Sequence, residues 1–253
     1  MSASVLSISN LTVKFGGLTA LDDVFLDVPE NSIVGLIGPN GAGKTTIFNS
    51  ISGLVTPTSG LISVEGKNVP WPASHQLVDY KISRTLQGVG LFSGLTVLEN
   101  VMMGADVLGT SNFFKDALGL SSKSESKLRD RAHEALAWAG ALDVAEKMPG
   151  ALTYPETKRV SIARALVARP KILLLDEPAA GLGQDDIDKF AGLLKELKRK
   201  CSIVIVEHHV DFIGSISDKV YVLNFGKVIA SGTFDQVKRD PAVLAAYLGT
   251  THA

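Results

Sequence analysis

The chain has 253 residues, of which 45% are hydrophobic and 20% charged, a composition typical of globular proteins and not of disordered ones. Its 25 basic and 26 acidic residues give a formal net charge of −1, which gives no support to nucleic-acid binding. The single cysteine, Cys201, excludes an internal disulfide and suits a reducing compartment. No apolar run approaches the roughly 20 residues of a membrane-spanning helix, and no signal-peptide pattern is present, so we expect a soluble chain that can still dock on a membrane protein.

The first part of the chain predicts strands around one helix. Alternating apolar and polar residues predict half-buried strands at 4–15 and 21–28. The apolar run at 31–38 ends in glycine and predicts a buried strand that leads into a turn. A helix at 45–54 and a strand at 61–66 follow. We expect a small antiparallel sheet beside a buried parallel strand.

The middle of the chain changes to helical spacing. Apolar residues recur at helical intervals in 95–105 and 127–141. The polar, serine-rich stretch 109–127 between them is interpreted as a flexible connector.

From residue 171 the pattern returns to alternating strands and helices. Strands are predicted at 171–178, 201–209 and 219–232, with a helix at 185–200. The whole chain therefore predicts an α/β fold with a parallel core sheet, an N-terminal antiparallel β subdomain and a helical insertion.

A phosphate-binding loop is predicted at 38–46, which reads GPNGAGKTT and fits G-x-x-x-x-G-K-[ST] between a predicted strand and helix. Glycines let several backbone N–H groups face one anion, and the helix presents its positive end to the same group. Lys44 would place its charge on the β- and γ-phosphates, and Thr45 would offer its hydroxyl to Mg²⁺. A glycine-rich turn with a chance lysine is disfavoured by this context. The other candidate phosphate-site residues are Gly38, Asn40, Gly41, Gly43 and Thr46.

An acidic pair follows the apolar strand in KILLLDEP. Asp176 is expected at the carboxyl end of that strand, where ligands of open α/β sheets bind. Asp176 would hold Mg²⁺ through water, and Glu177 would orient or deprotonate the attacking water. An acidic strand-to-turn pair without chemistry is the alternative, and the phosphate loop disfavours it.

GPNGAGKTT followed by LLLDEP resembles the ATP-binding subunit of ABC transporters, and the resemblance covers nearly the whole chain. It implies ATP and Mg²⁺ as cofactors and a P-loop NTPase fold with a RecA-like core. It also implies a single domain over 1–253. The core and the antiparallel β subdomain would occupy 1–94 and 165–253, and the helical subdomain about 95–164.

The resemblance implies three further site residues. Phe15 lies where the family stacks an aromatic ring on adenine, although a buried Phe is the alternative. Gln87, in RTLQ, matches the glutamine that senses Mg²⁺ and couples to the membrane subunit. His208, in IVEHH, matches the histidine that contacts the γ-phosphate, whereas His209 stands where the family usually has aspartate.

The family signature, L-S-G-G-Q or L-S-Y-G-Q, falls on Leu152, Thr153, Tyr154, Pro155 and Glu156. In the family this segment opens a helix and contacts the γ-phosphate of ATP held by the other subunit. Pro155 replaces a glycine whose N–H would serve that phosphate, and proline has no N–H. Thr153 and Glu156 also fit a capping box, so the helix itself is expected to form.

Further motifs, among them RTLQ, DEPAAGL and the tail DPAVLAAYLG, resemble the ATPases of branched-chain amino-acid importers, most closely the G-type subunit, with urea and amide importers close. This resemblance implies an ATP hydrolase that powers a membrane permease through ATP-driven dimer closure. The implied partners are a second ABC ATPase subunit in a heterodimer, integral membrane permease subunits and, indirectly, a solute-binding receptor. It implies a peripheral position on the cytoplasmic face of the membrane, and no nucleic-acid partner is expected.

Two alternatives remain open in the sequence. A related ATPase of DNA repair or translation would usually carry long coiled coils or two ATP domains, and neither pattern is present. A degenerate regulatory subunit with weak or no hydrolysis at one composite site is favoured by Pro155 and opposed by Glu177 and His208. A GTPase is disfavoured because no N-K-x-D motif occurs.

Overall fold

The computed structural model of the protein describes residues 4–85, 90–105 and 122–248. The first of its two sheets is antiparallel, with strand order β2-β1-β4-β5. Long strands with one buried face form where apolar residues alternate with polar ones. The strands of this sheet are β1 (Ser4–Phe15), β2 (Leu18–Pro29), β4 (Ser59–Val64) and β5 (Lys67–Val69).

The second sheet has six strands in the order β10-β9-β3-β8-β7-β6. All neighbouring pairs are parallel except β9 and β10. Strands β3, β7 and β8 are buried along their whole length, as their continuous apolar runs predict. The strands are β3 (Ile33–Ile37), β6 (Ile82–Arg84), β7 (Ile172–Asp176), β8 (Ser202–Val206), β9 (Lys219–Asn224) and β10 (Lys227–Gly232).

Helices cover both faces of this sheet, and the core is divided between two apolar clusters. One cluster lies between the two sheets and includes the apolar face of α1, and the other joins the parallel sheet to the remaining helical layers. The helices are α1 (Lys44–Ile51), α2 (Val97–Met103), α3 (Ser122–Trp138), α4 (Tyr154–Leu166), α5 (Gln184–Leu197), α6 (Val210–Ile216), α7 (Phe234–Val237) and α8 (Pro241–Leu248). None of the helices in the described ranges has the length and hydropathy needed to cross a bilayer.

The predicted α/β architecture, with its antiparallel β subdomain and helical insertion, is confirmed. Helices α2, α3 and α4 pack against one another as the inserted helical layer. Two local predictions were wrong. Residues 122–127, part of the predicted connector, belong to α3, and 109–121 lie outside the described residues. The element predicted at 219–232 is a hairpin, because Phe225 and Gly226 form a turn between β9 and β10.

Substitutions at Gly104 and Gly192 compare the effect of close packing on stability with the effect of helix propensity. A Cβ at Gly104 would lie 2.1 Å from the carbonyl oxygen of Arg164, whereas a Cβ at Gly192 on the exposed face of α5 meets nothing within 4 Å. We expect Gly104→Ala to lower the free energy of unfolding by about 1–3 kcal/mol through overpacking. We expect Gly192→Ala to raise it by up to about 1 kcal/mol through helix propensity. Denaturant unfolding of both variants would measure this, and shifts of the same sign would contradict it.

Candidate active site

The candidate site is a cleft of about 490 Å³ at the carboxyl ends of β3, β7 and β8. Parallel strands of an open α/β sheet present their ligand-binding loops at this edge. The loops after β3, β7 and β8 and the turn between β1 and β2 all reach it. The predicted site residues that line the cleft are Phe15, Asn40, Gly41, Gly43, Lys44, Thr45, Thr46, Glu177 and His208.

Glycine is required at two positions of the loop between β3 and α1. Gly38 has φ 148°, and a Cβ there would lie 2.1 Å from the carbonyl oxygen of Leu223. Gly43 has φ 106° and forms the N-cap of α1, where a Cβ would lie 2.6 Å from the Leu21 side chain. Only a residue without a side chain fits these conformations and contacts. The loop is therefore pressed against β9 and β2 and held in a fixed curl at the start of α1.

Lys44 lies over this curl. Its Nζ donates hydrogen bonds to the carbonyl oxygens of Gly38 at 2.7 Å and Pro39 at 2.9 Å. Burial lowers the pKa of the Lys44 ammonium, and the negative charge of Glu177 acts in the opposite direction. A cation is thus held at the mouth of an anion-binding loop, as the motif predicts.

Glu177 and His208 face each other across the cleft. The Oε1 of Glu177 lies 2.8 Å from Nε2 of His208, and both side chains are partly exposed. Glu177 has φ 47°, in the left-handed region, and its N–H donates to the carbonyl oxygen of Val206 at 2.9 Å. Non-glycine residues in that region are uncommon and cluster at functional sites. A carboxylate with a histidine neighbour in an open cleft can orient and accept a proton from water.

Asp176 lies behind the cleft in a buried ion pair that the sequence did not indicate. Its Oδ2 accepts from Nη2 of Arg84 at 2.8 Å, and the side chains of Asp176 and Arg84 are 1% and 13% exposed. Nη1 of the same guanidinium donates to Asn49 Oδ1 at 2.8 Å and Ser52 Oγ at 3.2 Å. The guanidinium carbon lies 5.7 Å from the ring centre of Phe48. Arg84 therefore neutralises Asp176 and fixes its orientation.

The residues present fit a Mg²⁺ site of the kind that depends on bound phosphates. Oδ1 of Asp176 is buried and has no hydrogen-bond partner in the described structure, which is costly unless another group uses it. The exposed hydroxyl of Thr45 lies in the cleft at the start of α1. Carboxylate and hydroxyl oxygens suit Mg²⁺, which binds few protein ligands and keeps phosphates and waters in its shell.

Glu207 is a second buried carboxylate that the sequence analysis missed. Its Oε1 accepts from the N–H of Ala179 at 2.6 Å, and its Oε2 accepts from the N–H of His208 at 3.0 Å. Glu207 thus ties the turn after Glu177 to the loop that carries His208. The only signal in the sequence was an acidic residue directly after a buried strand. His209 lies beside Glu207, with Nδ1 3.5 Å from Oε2, and does not line the cleft.

Tyr247 of α8 reaches the phosphate loop from the far end of the chain. Burial raises the pKa of its phenol, and a hydrogen bond with the backbone of Gly38 acts in the opposite direction. Phe225, in the turn between β9 and β10, lines the cleft as well. Phe225 belonged to no recognised motif, and Tyr247 lies in the tail DPAVLAAYLG, which gave no indication of a contact with the phosphate loop. Gln87 lies outside the described residues.

The predicted signature lies away from this cleft, at the start of α4. Thr153 is the N-cap, and its hydroxyl accepts from the N–H of Glu156 while the Glu156 carboxylate accepts from the N–H of Thr153 at 2.6 Å. The predicted capping box is therefore present, and the Thr153 N–H lowers the pKa of Glu156. Pro155 lies in the first helical turn. The Tyr154 hydroxyl donates to the carbonyl oxygen of Ala180 at 3.0 Å.

Comparison with known proteins identifies the family. The sequence model described as ABC transporter matches residues 21–180. The chain belongs to the ABC transporter family. It is accordingly an ABC ATPase that binds ATP and couples ATP hydrolysis to transport, as the resemblance of GPNGAGKTT and LLLDEP to this family implied. A second model, described as branched-chain amino acid ATP-binding cassette transporter, matches residues 227–253.

Two curated relatives match nearly full length but serve different transporters. The high-affinity branched-chain amino acid transport ATP-binding protein BraF of Pseudomonas aeruginosa is 37% identical over 98% of this chain and 99% of its own. The lipopolysaccharide export system ATP-binding protein LptB of Haemophilus influenzae is 34% identical over 97% of this chain and 98% of its own. The two relatives are ATP-binding proteins of different transport systems, so their similarity to this chain shows the ABC family and does not distinguish between the two systems.

Solved cassettes share the fold. The ADP conformation of the ATP-binding cassette MJ1267 superposes with a TM-score of 0.86 at 30% identity, covering 98% of this chain and 100% of its own. The dimeric cassette MJ0796 superposes with a TM-score of 0.73 at 28% identity, covering 90% of this chain and 98% of its own. ABC cassettes dimerise and, in importers, work with membrane permease subunits.

The buried pair between Arg84 and Asp176 leads to a prediction for metal binding. Arg84→Ala should leave the buried Asp176 carboxylate uncompensated and free to turn, which costs about 3–5 kcal/mol of stability. We expect the Mg²⁺ concentration for half-maximal ATP binding to rise by about 10–100-fold, as for other groups that orient a metal ligand. Binding of ATP without Mg²⁺ should stay within about twofold, because Arg84 contacts the later turns of α1 and not the phosphate loop itself.

Calorimetric Mg²⁺ titrations with a Glu177→Gln background, which blocks turnover, would measure this. Arg84→Lys should give an intermediate result, since a lysine supplies charge without the guanidinium fork. Arg199→Ala, which removes an exposed ion pair with Glu196, is the control. An equal loss of ATP binding with and without Mg²⁺ would contradict the prediction.

Proposed function

We propose that this chain is the ATP-hydrolysing subunit of an importer for branched-chain or related amino acids. The observation that carries the proposal is the match of the C-terminal residues 227–253 to the branched-chain amino acid cassette model. The near full-length similarity to BraF supports it. An importer of urea or amides is the neighbouring possibility that the sequence leaves open. The similarity to LptB makes an export ATPase the second candidate.

The cleft supports a division of roles on the ATP side. Lys44 would bind the β- and γ-phosphates, and the curled backbone at Gly38, Asn40, Gly41, Gly43 and Thr46 would surround them. Phe15, 51% exposed at the cleft, would stack on adenine. Glu177 would accept the proton of the attacking water, and His208, held 2.8 Å from it, would contact the γ-phosphate. The preset positions of these groups limit reorganisation during hydrolysis.

Mg²⁺ would be held by Thr45, Asp176 and Gln87, partly through water. The metal would supply positive charge against the phosphates during transfer. Arg84 would keep Oδ2 of Asp176 occupied and leave Oδ1 for the metal shell.

ATP would close two cassettes face to face, with the signature residues Thr153, Tyr154, Pro155 and Glu156 acting on the partner's ATP. The dimeric cassette MJ0796 supports this arrangement. A groove of about 640 Å³ between the core and the helical layer is lined by apolar residues such as Leu54, Phe92 and Met103. It adjoins Arg84 and Thr85, directly before the Gln87 segment, and is the proposed permease contact.

The proposed organisation is a single domain over 1–253, with the core in 1–94 and 165–253 and a helical subdomain in about 95–164. The 164/165 boundary falls inside α4, so that helix would join the two parts. The subunit would lie on the cytoplasmic face of the membrane with a second ABC ATPase, permease subunits and an extracytoplasmic solute receptor.

Uptake by cells tests the transported solute. In a strain lacking this gene, the wild-type gene should restore ATP-dependent uptake of labelled leucine, and Lys44→Ala and Glu177→Gln should not. Labelled urea and acetamide, measured in the same cells, test the neighbouring possibility. Restoration of urea uptake alone would contradict amino-acid import. Unchanged uptake of all three solutes, with lipopolysaccharide accumulating in the inner membrane, would favour the export candidate.

Pro155 predicts an asymmetric heterodimer. The N–H that proline lacks is one of the free donors in the first turn of α4, where a phosphate would bind. A lost charge-assisted hydrogen bond is worth on the order of 2 kcal/mol, or about thirtyfold in closure on the partner's ATP. In the assembled transporter, Glu177→Gln should therefore abolish most ATP turnover, while the same change in the partner's catalytic glutamate should cost little.

Pro155→Gly is the matched variant for this prediction. It restores the N–H and should make the partner's glutamate more important for turnover. Steady-state ATPase rates of the reconstituted complex, with each glutamate changed separately, provide the measurement. Equal losses from the two glutamate variants would contradict asymmetry, and full turnover with Glu177→Gln would favour the regulatory alternative.

A further inference from the structure

Phe225 occupies a turn position that its side chain does not suit. Asn224 and Lys227 pair across the hairpin of β9 and β10, so Phe225 and Gly226 form its two-residue turn. Their φ values are 44° and 76°, both positive, as in a type I′ turn. Such turns strongly prefer Asn or Gly at the first position, and a bulky residue there is an outlier. Local turn chemistry therefore does not account for phenylalanine at 225.

Burial does not account for it either. Phe225 is 88% exposed, so its ring gains little from the apolar core. Phe225 instead lines the cleft that also contains Phe15 and Lys44. Strain in a sparsely populated backbone region together with an exposed apolar ring at a binding cleft indicates a ligand contact.

The turn is fixed relative to the phosphate loop. The N–H of Gly226 donates to the carbonyl oxygen of Ala42 at 3.0 Å, and the carbonyl oxygen of Gly226 accepts from the N–H of Asp22 at 2.9 Å. A Cβ at Gly43 would lie 3.6 Å from the Gly226 Cα. The backbone of the turn is thus connected both to the loop that binds the phosphates and to β2, so the ring at 225 is presented to the cleft from a defined position.

We propose that Phe225 is a second aromatic contact for the nucleoside part of ATP, in addition to Phe15. Two exposed aromatic residues, Phe15 and Phe225, line the same cleft as Lys44. When the triphosphate of ATP binds at Lys44, its ribose and base would extend toward these two residues. An aromatic ring accepts the flat face of any base by stacking. The inference rests on the proposed role of the cleft residues in ATP binding.

Phe225→Asn separates turn stability from nucleotide binding, because Asn suits the turn and removes the ring. We expect Tm to rise by about 2–4 °C as the turn strain is relieved. We expect the Kd for ATP to rise at least about fivefold, the low end for loss of one stacked base. Calorimetry on the full chain, at concentrations where sedimentation shows a monomer, would measure binding without a contribution from dimer closure.

Inorganic tripolyphosphate is the probe for the phosphate end of the cleft. Its affinity should stay within about twofold in Phe225→Asn, since only the nucleoside contact is removed. Phe15→Ala is the positive control, and Leu61→Ala, which removes an exposed apolar side chain from β4, is the negative control.

Three results would overturn the inference. An ATP affinity of Phe225→Asn within about twofold of wild type would exclude the nucleoside contact. Equal losses for ATP and tripolyphosphate would show that the turn only shapes the phosphate loop. Normal ATP binding with impaired closure in the assembled transporter would place the ring against the partner subunit. Failure of the cleft itself is distinguishable, because wild type would then show no ATP binding that Lys44→Ala abolishes.

Discussion

The active site depends on the register of three parallel strands. Val206 of β8 pairs with Leu36 of β3 on one side and with Asp176 of β7 on the other. The three strands therefore end at one level, and their loops open on the same cleft. Successive side chains of a strand point to opposite faces, so a slip of one residue in β7 would turn Asp176 to the other side of the sheet. The bond from the Glu177 N–H to the Val206 carbonyl extends this register by one residue.

Charges are concentrated at this edge at a cost in stability. Buried Asp176 and Glu207 each require hydrogen bonds from other parts of the chain, and apolar residues of similar volume are often more stable in such places. The two carboxylates differ in their hydrogen-bond partners. Glu207 accepts from two backbone N–H groups and fixes loops, whereas among the described residues Asp176 is paired through Oδ2 and its buried Oδ1 has no hydrogen-bond partner. The first arrangement is structural, and the second suits the metal-binding role proposed for Asp176.

Sequence patterns predicted the parts of the site that are local in the chain. The phosphate loop shows its glycines and lysine within one motif, and apolar runs located β3, β7 and β8. Arg84 could not be identified in this way, because its partner Asp176 is 92 positions away and no spacing rule connects them. The same holds for the contact of Tyr247 with Gly38. The hairpin at 219–232 was missed for a different reason: its turn carries Phe where the usual signal is Asn.

The start of α4 satisfies the requirements of its own helix, and the role proposed for it toward a partner's ATP makes a different demand on the same backbone. The capping box and the fixed φ of Pro155 suit the helix. The missing N–H would therefore weaken only the binding of a group that lies beyond the start of the helix. The same segment is connected to the catalytic turn of its own subunit. The N–H of Ala180 donates to the carbonyl oxygen of Glu177 at 3.2 Å, and the carbonyl oxygen of Ala180 accepts from the Tyr154 hydroxyl at 3.0 Å. If Glu177 shifts during hydrolysis, these hydrogen bonds would give the shift a short route to the start of α4, the segment proposed to act on the partner's ATP.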